Sequence, residues 1–407
     1  MLRIRKHRPN WPYRLAWLVI AVAVVLYVAV QAVIVNQTYS HRSIGSDWPL
    51  AIVAGLLDGT IAIWFVVVGA CIGSFLNVVA YRLPLGRYIG GHSGCPYCQT
   101  PIDSLDNVPV LAWIQLRGRC RSCRLPISIQ YPLVEFSVAM IFLSVYVSEF
   151  ASGGANLPSN QLPSRGGGLL GISVTPDIVL RIVAYLFILS GLVAAALIAV
   201  KRQSVPLKLY FWTLLPLAVA SMVQPKITLV PWRETLASGP VETRLNVIAT
   251  MLCGAVAGIA LSRLIAPLVY RGMDPRLLAG DAATRNARQF TGAMAVAGAT
   301  LGWQFVVPLG WTIVVVGLVG SLAFRQFRDA AGLSDLTVWL WLGLLIFRAN
   351  WNALTHLGSL VAWPPVVVQI SAALALAPLC IAFNRFAAPV ATSAGECDSS
   401  EAEVEVT

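Results

Sequence analysis

The stretch "IAIWFVVVGACIGSFLNVVAY" (Ile61–Tyr81) contains no Asp, Glu, Lys, Arg or His. As a helix rising 1.5 Å per residue it is about 30 Å long, the thickness of the hydrocarbon core of a bilayer. In that medium every backbone N–H and C=O must be bonded internally, so an isolated apolar run of this length predicts a membrane-spanning helix. Working outward, comparable runs occupy Leu15–Val35, Pro132–Phe150, Val179–Val200, Leu207–Val223, Asn246–Val269, Phe290–Val306, Leu309–Phe324, Leu336–Phe347 and Ser359–Phe383, the run at Leu336 being short. The expected fold class is therefore an all-α polytopic membrane protein of about ten transmembrane helices. Composition agrees: the 407 residues are 57% hydrophobic and 12% charged, whereas soluble domains carry roughly a quarter charged residues.

The net charge of +11 is spread over short segments beside apolar runs rather than along one basic stripe, which argues against nucleic acid and for membrane topology. "MLRIRKHRPNWPYR" precedes the first run and no small-residue cleavage site follows it, so Leu15–Val35 reads as an uncleaved anchor with a cytoplasmic N-terminus rather than a cleaved signal peptide. With that orientation the segment 82–131 is cytoplasmic, and it carries Arg82, Arg87, Arg117, Arg119, Arg121 and Arg124 against Asp103 and Asp106. Loops holding Lys201 and Arg202, Arg271, Arg276, Arg285 and Arg288, and Arg325 and Arg328 fall on the same side. The segment 224–245, with Lys226, Arg233 and Arg244, is the external loop that fits least well. A Gly/Ser/Pro linker (151–178) and an acidic tail (386–407) have little to bury and are expected to be unfolded. No internal repeat is apparent.

The aqueous chemistry is concentrated in "CPYCQTPIDSLDNVPVLAWIQLRGRCRSC" (Cys95–Cys123). Two Cys-x-x-Cys pairs bring four soft thiolates together, Cys95, Cys98, Cys120 and Cys123, which suits a closed tetrahedral zinc site. The nearby arginines are placed to favour thiolates. Two disulfides or a redox dithiol are the alternatives; cytoplasmic placement disfavours the first and the matched pairs disfavour the second. Cys71, Cys253 and Cys380 lie in apolar runs as small core residues, and His7, His41, His92 and His356 are scattered.

"GACIGSFLNVVAYRLPLG" (69–86), "CPYC" (95–98), "DNVPVLAWIQLRGRCRSC" (106–123) and "PISIQYPLVEF" (126–136) resemble the N-terminal half of bacterial type IV prepilin peptidases. The resemblance implies an intramembrane aspartyl protease of the inner membrane with a cytoplasmic zinc loop. Such enzymes remove the leader of prepilins or pseudopilins and methylate the new N-terminus with S-adenosylmethionine. It also implies the division 1–60 (extra anchor and external loop), 61–150 (peptidase-like N-terminal domain with the zinc loop 82–131), 151–178 (linker), 179–385 (divergent membrane domain) and 386–407 (tail).

Metal-free peptide hydrolysis by this route needs two carboxylates that exchange protons with water and the leaving group. Aligned on Pro206, "AALIAVKRQSVPLK" (195–208) has Ala199 where the family has its first aspartate. Aligned on Ala297–Trp303, "ARQFTGAMAVAGATLGW" (287–303) has Phe290 at the second. No catalytic residue is therefore assigned. The expectation is a proteolytically inactive homologue that binds prepilin-like leaders or assists an active paralogue or a pilus or secretion assembly platform, with membrane lipid around it. The alternative is an active peptidase with relocated acids, Asp281 of Gly280-Asp281 foremost. A Ser204/Lys208 pair on one helical face is a third, minor candidate, and Glu135 of "YPLVE" is read as a partner for a loop arginine.

Overall fold

The computed structural model describes residues 48–91, 93–151, 176–225, 240–270, 282–324, 335–350 and 365–387. The expected anchor Leu15–Val35, the four histidines, Asp281, the 152–175 part of the linker and the 388–407 part of the acidic tail all lie outside them, while 386–387 close the last helix. Among the described residues the chain is helical, with two isolated β-bridges and no strand. The helices are α1 (Trp48–Arg82), α2 (Leu111–Leu116), α3 (Gln130–Val145), α4 (Pro176–Val200), α5 (Leu207–Val223), α6 (Pro240–Val269), α7 (Ala282–Leu301), α8 (Val306–Ala323), α9 (Leu336–Ala349), α10 (Pro365–Ala375) and α11 (Ala377–Ala387). A π-helical turn, Tyr146–Ala151, prolongs α3.

Among the described residues five helices are long and apolar enough to cross a membrane: the segments Gly55–Arg82, Gln130–Ala151, Ile178–Val200, Arg244–Val269 and Trp303–Ala323. Leu207–Val223, Leu336–Ala349 and Ile370–Arg385 are shorter apolar helices. The protein is a polytopic membrane protein, and nine of the ten expected runs meet described helices. Boundaries differ for identifiable reasons. Helix α1 starts at Trp48, because "WPLAIVAGLLDGT" ahead of the apolar run has no internal breaker after Pro49 at the first turn. The expected span Phe290–Val306 is instead α7, displaced toward the N-terminus, since Gly302 (φ +83°) ends it ahead of a 3₁₀ turn. Arg285 and Arg288, expected in a loop, are consequently helical. The last run divides at Leu376, just before Pro378, whose ring disfavours a continuous helix there.

Two close helix pairs organise the molecule. In α1, a Cβ on Gly69 would stand 2.8 Å from the Ala139 Cα, and one on Gly73 2.7 Å from the Glu135 Cα, so α1 and α3 pack backbone to backbone. In the second pair a Cβ on Gly254 of α6 would stand 2.1 Å from the Gly298 carbonyl of α7. Small residues four apart (Gly69 and Gly73, Gly254 and Gly258) permit such approach where burial from water gives helices no reason to associate. Between the pairs α4 is largely buried, with Ile188, Leu189, Ala195 and Ile198 in the core and Val179, Val183 and Phe187 exposed along one side. The Lys201 ammonium over the Tyr81 ring, 5.8 Å from its centroid, places the C-terminal ends of α1 and α4 together. Gln289 Nε2 donates to the Gln203 carbonyl (2.9 Å) and Tyr210 Oη to that of Gln289 (2.8 Å), which brings the starts of α5 and α7 to that end. The loop 83–129 leaves from the same end, here called the clip end.

Candidate functional site

The loop builds its metal-binding geometry from one small unit used twice. In "GCPYCQTP" (94–101) the Cys95 N–H donates to the Thr100 carbonyl (3.1 Å) and the Gln99 N–H to that of Cys95 (2.9 Å). In "RCRSCRLP" (119–126) Cys120 donates to Leu125 (2.9 Å) and Arg124 to Cys120 (3.1 Å). Gln99 and Arg124 close the two turns in the left-handed region, at φ +54° and +64°. The bridges Gly94–Pro101 and Arg119–Pro126, and the bonds Ile102 N–H to Ser93 and Ile127 N–H to Gly118, repeat the correspondence. The loop is thus a duplicated knuckle, a short repeat that the reading of the sequence missed although Cys-x-x-Cys-x-x-Pro is visible twice.

The knuckles face each other with Cys95 Sγ and Cys123 Sγ 3.8 Å apart and Cys98 Sγ and Cys120 Sγ 4.0 Å apart. All four sulfurs lie within 4.8 Å of one another. A tetrahedron with metal–sulfur bonds of about 2.3 Å has edges of about 3.8 Å, so the cluster has the dimensions of a four-thiolate site and can hold a metal ion. None of the four cysteines is bridged to another, and the facing sulfurs stand at separations that suit a shared metal ion. Hydrogen bonds from the Thr100 side chain and backbone draw the Cys98 thiol down to about 6, and backbone N–H groups of Cys123 and Ser122 lower Cys120. At Cys123 the Leu125 N–H acts downward, but burial and the neighbouring sulfurs outweigh it and push the thiol up to about 11. Four sulfurs at this spacing repel one another as anions, and a divalent cation at their centre removes the conflict.

The expectation that arginines support the thiolates is corrected. Backbone amides and Thr100 do so, while Arg121 forms a two-pronged ion pair with Asp106 on the 3₁₀ turn Ser104–Asn107. Arg82 instead donates to the carbonyls of Tyr88, Ile89 and Gly90, ordering the chain as it leaves α1. Glu135 does not take an arginine either. Its Oε2 accepts the Val110 N–H at 2.6 Å, holding the strained Val110 (φ +59°) at the start of α2 against the membrane helix α3. Trp113 Nε1 donates to the Ile127 carbonyl (3.1 Å), tying α2 to the second knuckle.

The residues aligned with the family's acids are apolar and buried: Ala199 is 4% exposed and Phe290 0%, both within the core where α4 meets α7. Asp335 is a carboxylate of the bundle at this end. It caps α9 by accepting the Thr337 N–H (2.9 Å) and takes the Tyr270 hydroxyl (3.0 Å). Ser204 and Lys208 do not share a helical face, because 203–206 is not helical and α5 begins only at Leu207 after an extended Pro206.

Two polar features escaped the sequence reading. At the far end Glu149 and Arg348 form a buried ion pair, with the Arg348 guanidinium 3.5 Å from the Tyr185 ring centroid and Arg181 close to the same tyrosine. Glu149 near the end of the apolar run Pro132–Phe150 was the available signal in the sequence. The other feature is a basic cavity at the clip end, for which Arg263 inside an apolar run was the available signal.

The fold and the clip define a class: a helical membrane protein with a four-cysteine loop set between two closely packed spans. Residues 67–149, from within α1 to the π turn after α3, match the bacterial peptidase A24 N-terminal domain, and over this region the chain is similar to the prepilin peptidase family. A prepilin leader peptidase/N-methyltransferase of Myxococcus xanthus (strain DK1622) is 43% identical over 91 residues, 22% of this chain and 27% of the relative. One of Burkholderia pseudomallei (strain 1026b) is 38% identical over 115 residues, 22% of this chain and 37% of the relative. A type 4 prepilin-like proteins leader peptide-processing enzyme of Escherichia coli O78:H11 (strain H10407 / ETEC) is 42% identical over 94 residues, 18% of this chain and 35% of the relative. The chain therefore spans roughly a quarter to a third of the length of these curated relatives. No solved structure matches it.

Proposed function

We propose that this chain is a non-proteolytic prepilin-peptidase homologue that recognises prepilin or pseudopilin leaders through its clip module. The observation that carries the reading is the burial of Ala199 and Phe290 at the positions aligned with the family's aspartates. Neither side chain can take a proton from water or give one to a leaving group, so the general acid and base of the hydrolysis have no counterpart there. The matched region keeps the clip, its Glu135 anchor and the α1–α3 packing. A zinc ion held by Cys95, Cys98, Cys120 and Cys123 would be structural, because four protein ligands leave no open coordination position. The clip end is assigned to the cytoplasm of the inner membrane from its basic residues, and the role to pilus or type II secretion assembly, alongside an active paralogue or an assembly platform.

The relatives' names also carry an N-methyltransferase activity. An active peptidase with relocated acids such as Asp281 is the second reading, and methyl transfer with S-adenosylmethionine a third. The purified chain is incubated with a synthetic prepilin carrying its leader, and cleavage and binding are followed separately. Saturable binding with the leader intact is expected. Leader removal that Asp281→Asn abolishes would overturn the proposal, and so would failure to bind.

A further inference from the structure

The geometry points to a binding site for an anionic phospholipid in the cavity between α5, α6 and α7 at the clip end. The cavity is about 1100 Å³, larger than most small-metabolite pockets. Its walls are of two kinds. Leu207 and Phe211 of α5, both exposed on the outer surface of the bundle, join Leu214 and Ile259 as an apolar wall that suits an acyl chain. Arg263 of α6 and Arg285 and Arg288 of α7 supply three guanidinium groups, and no carboxylate is among the described lining residues. Guanidinium forks match phosphate oxygens two at a time and are less strongly hydrated than ammonium groups, which suits them to a headgroup at the edge of the hydrocarbon.

Depth is the second part of the case. Arg263 lies within the candidate span Arg244–Val269, six residues before its end. At 1.5 Å per residue that is about 9 Å inside the helix terminus, at the level where glycerol and phosphate groups meet acyl chains. A cation at that depth is costly unless an anion or water meets it. Among the described residues no ion pair satisfies Arg263 or Arg288. Arg285 is partly answered from within the protein, since it lies in the electrostatic reach of Asp335 behind Tyr270. Two guanidiniums with no ion pair among the described residues, beside an exposed apolar wall, are complementary to one phosphodiester and its tails. Basic pockets between membrane helices bind anionic lipids by this combination.

The test uses the full chain in detergent, with phosphatidylglycerol and phosphatidylcholine of identical chains offered in equal amount and bound lipid counted by native mass spectrometry. Phosphatidylglycerol should be retained at least ~10-fold over phosphatidylcholine, and Arg263→Gln/Arg288→Gln should remove that preference. The variant Arg202→Gln/Lys208→Gln, which takes two exposed charges from the same end but outside the cavity, should keep it. Arg263→Lys/Arg288→Lys keeps the charge and should hold part of the preference, which separates lost recognition from failed folding. Equal retention of both lipids would overturn the inference. Equal loss in the two Gln double variants would do the same, as would an equal rise in melting temperature with inorganic phosphate in place of phosphatidylglycerol.

Discussion

X-ray absorption at the zinc edge of the purified chain should return a single shell of four sulfurs. The edge of a regular tetrahedron is about 1.63 times the centre-to-corner distance, so the Sγ separations of 3.8 and 4.0 Å correspond to metal–sulfur bonds of ~2.3 and ~2.4 Å. The wider separations, up to the 4.8 Å limit, are expected to contract as the ion draws the knuckles together. Cys120→Ser removes one corner and should take zinc well below one per chain. Structural zinc contributes on the order of 10 kcal/mol to the folding of small modules. Each knuckle is otherwise held by a few turn hydrogen bonds, so the loop between Ser93 and Ile127 should become open to protease while the helical content of the bundle persists. A shell containing nitrogen or oxygen, full zinc occupancy in Cys120→Ser, or two cysteine disulfides by mass would refute the reasoning.

Two further perturbations probe the membrane body. Glu149→Leu leaves the buried Arg348 guanidinium without its carboxylate and should cost about 3–5 kcal/mol, while Glu149→Leu/Arg348→Met should recover most of that loss in the same unfolding titration; additive losses would show that the pair is not coupled. Gly254→Ala sets a methyl group against the Gly298 carbonyl and should lower stability by about 1–3 kcal/mol by driving α6 and α7 apart, and an unchanged melting temperature would contradict that packing.

Much of the architecture was legible because bilayer chemistry is local. An uncharged run such as Ile61–Tyr81 must form a helix whatever its neighbours are, and Cys-x-x-Cys presents two thiolates on one turn wherever it occurs. The clip was legible for the same reason, and even its duplicated form stands in "GCPYCQTP" and "RCRSCRLP". The partners of charged groups were not. Arg121 sits among the knuckle cysteines in sequence yet turns to Asp106, and Glu135 takes a backbone amide rather than an arginine. Helix limits were misplaced where the deciding residue acts through conformation, as Gly302 does by leaving the right-handed region.

The sequence by itself determined that this is a helical membrane protein and that four cysteines in two matched pairs could share a metal ion. Periodicity, apolarity and ligand spacing are properties of adjacent residues. Tertiary structure alone decided that Glu149 meets Arg348 across the bundle, that Glu135 anchors the clip to α3, and that Arg263, Arg285 and Arg288 converge on one cavity. Each of those depends on which helix faces meet, and helices packed through glycine contacts set that arrangement between residues far apart in the chain.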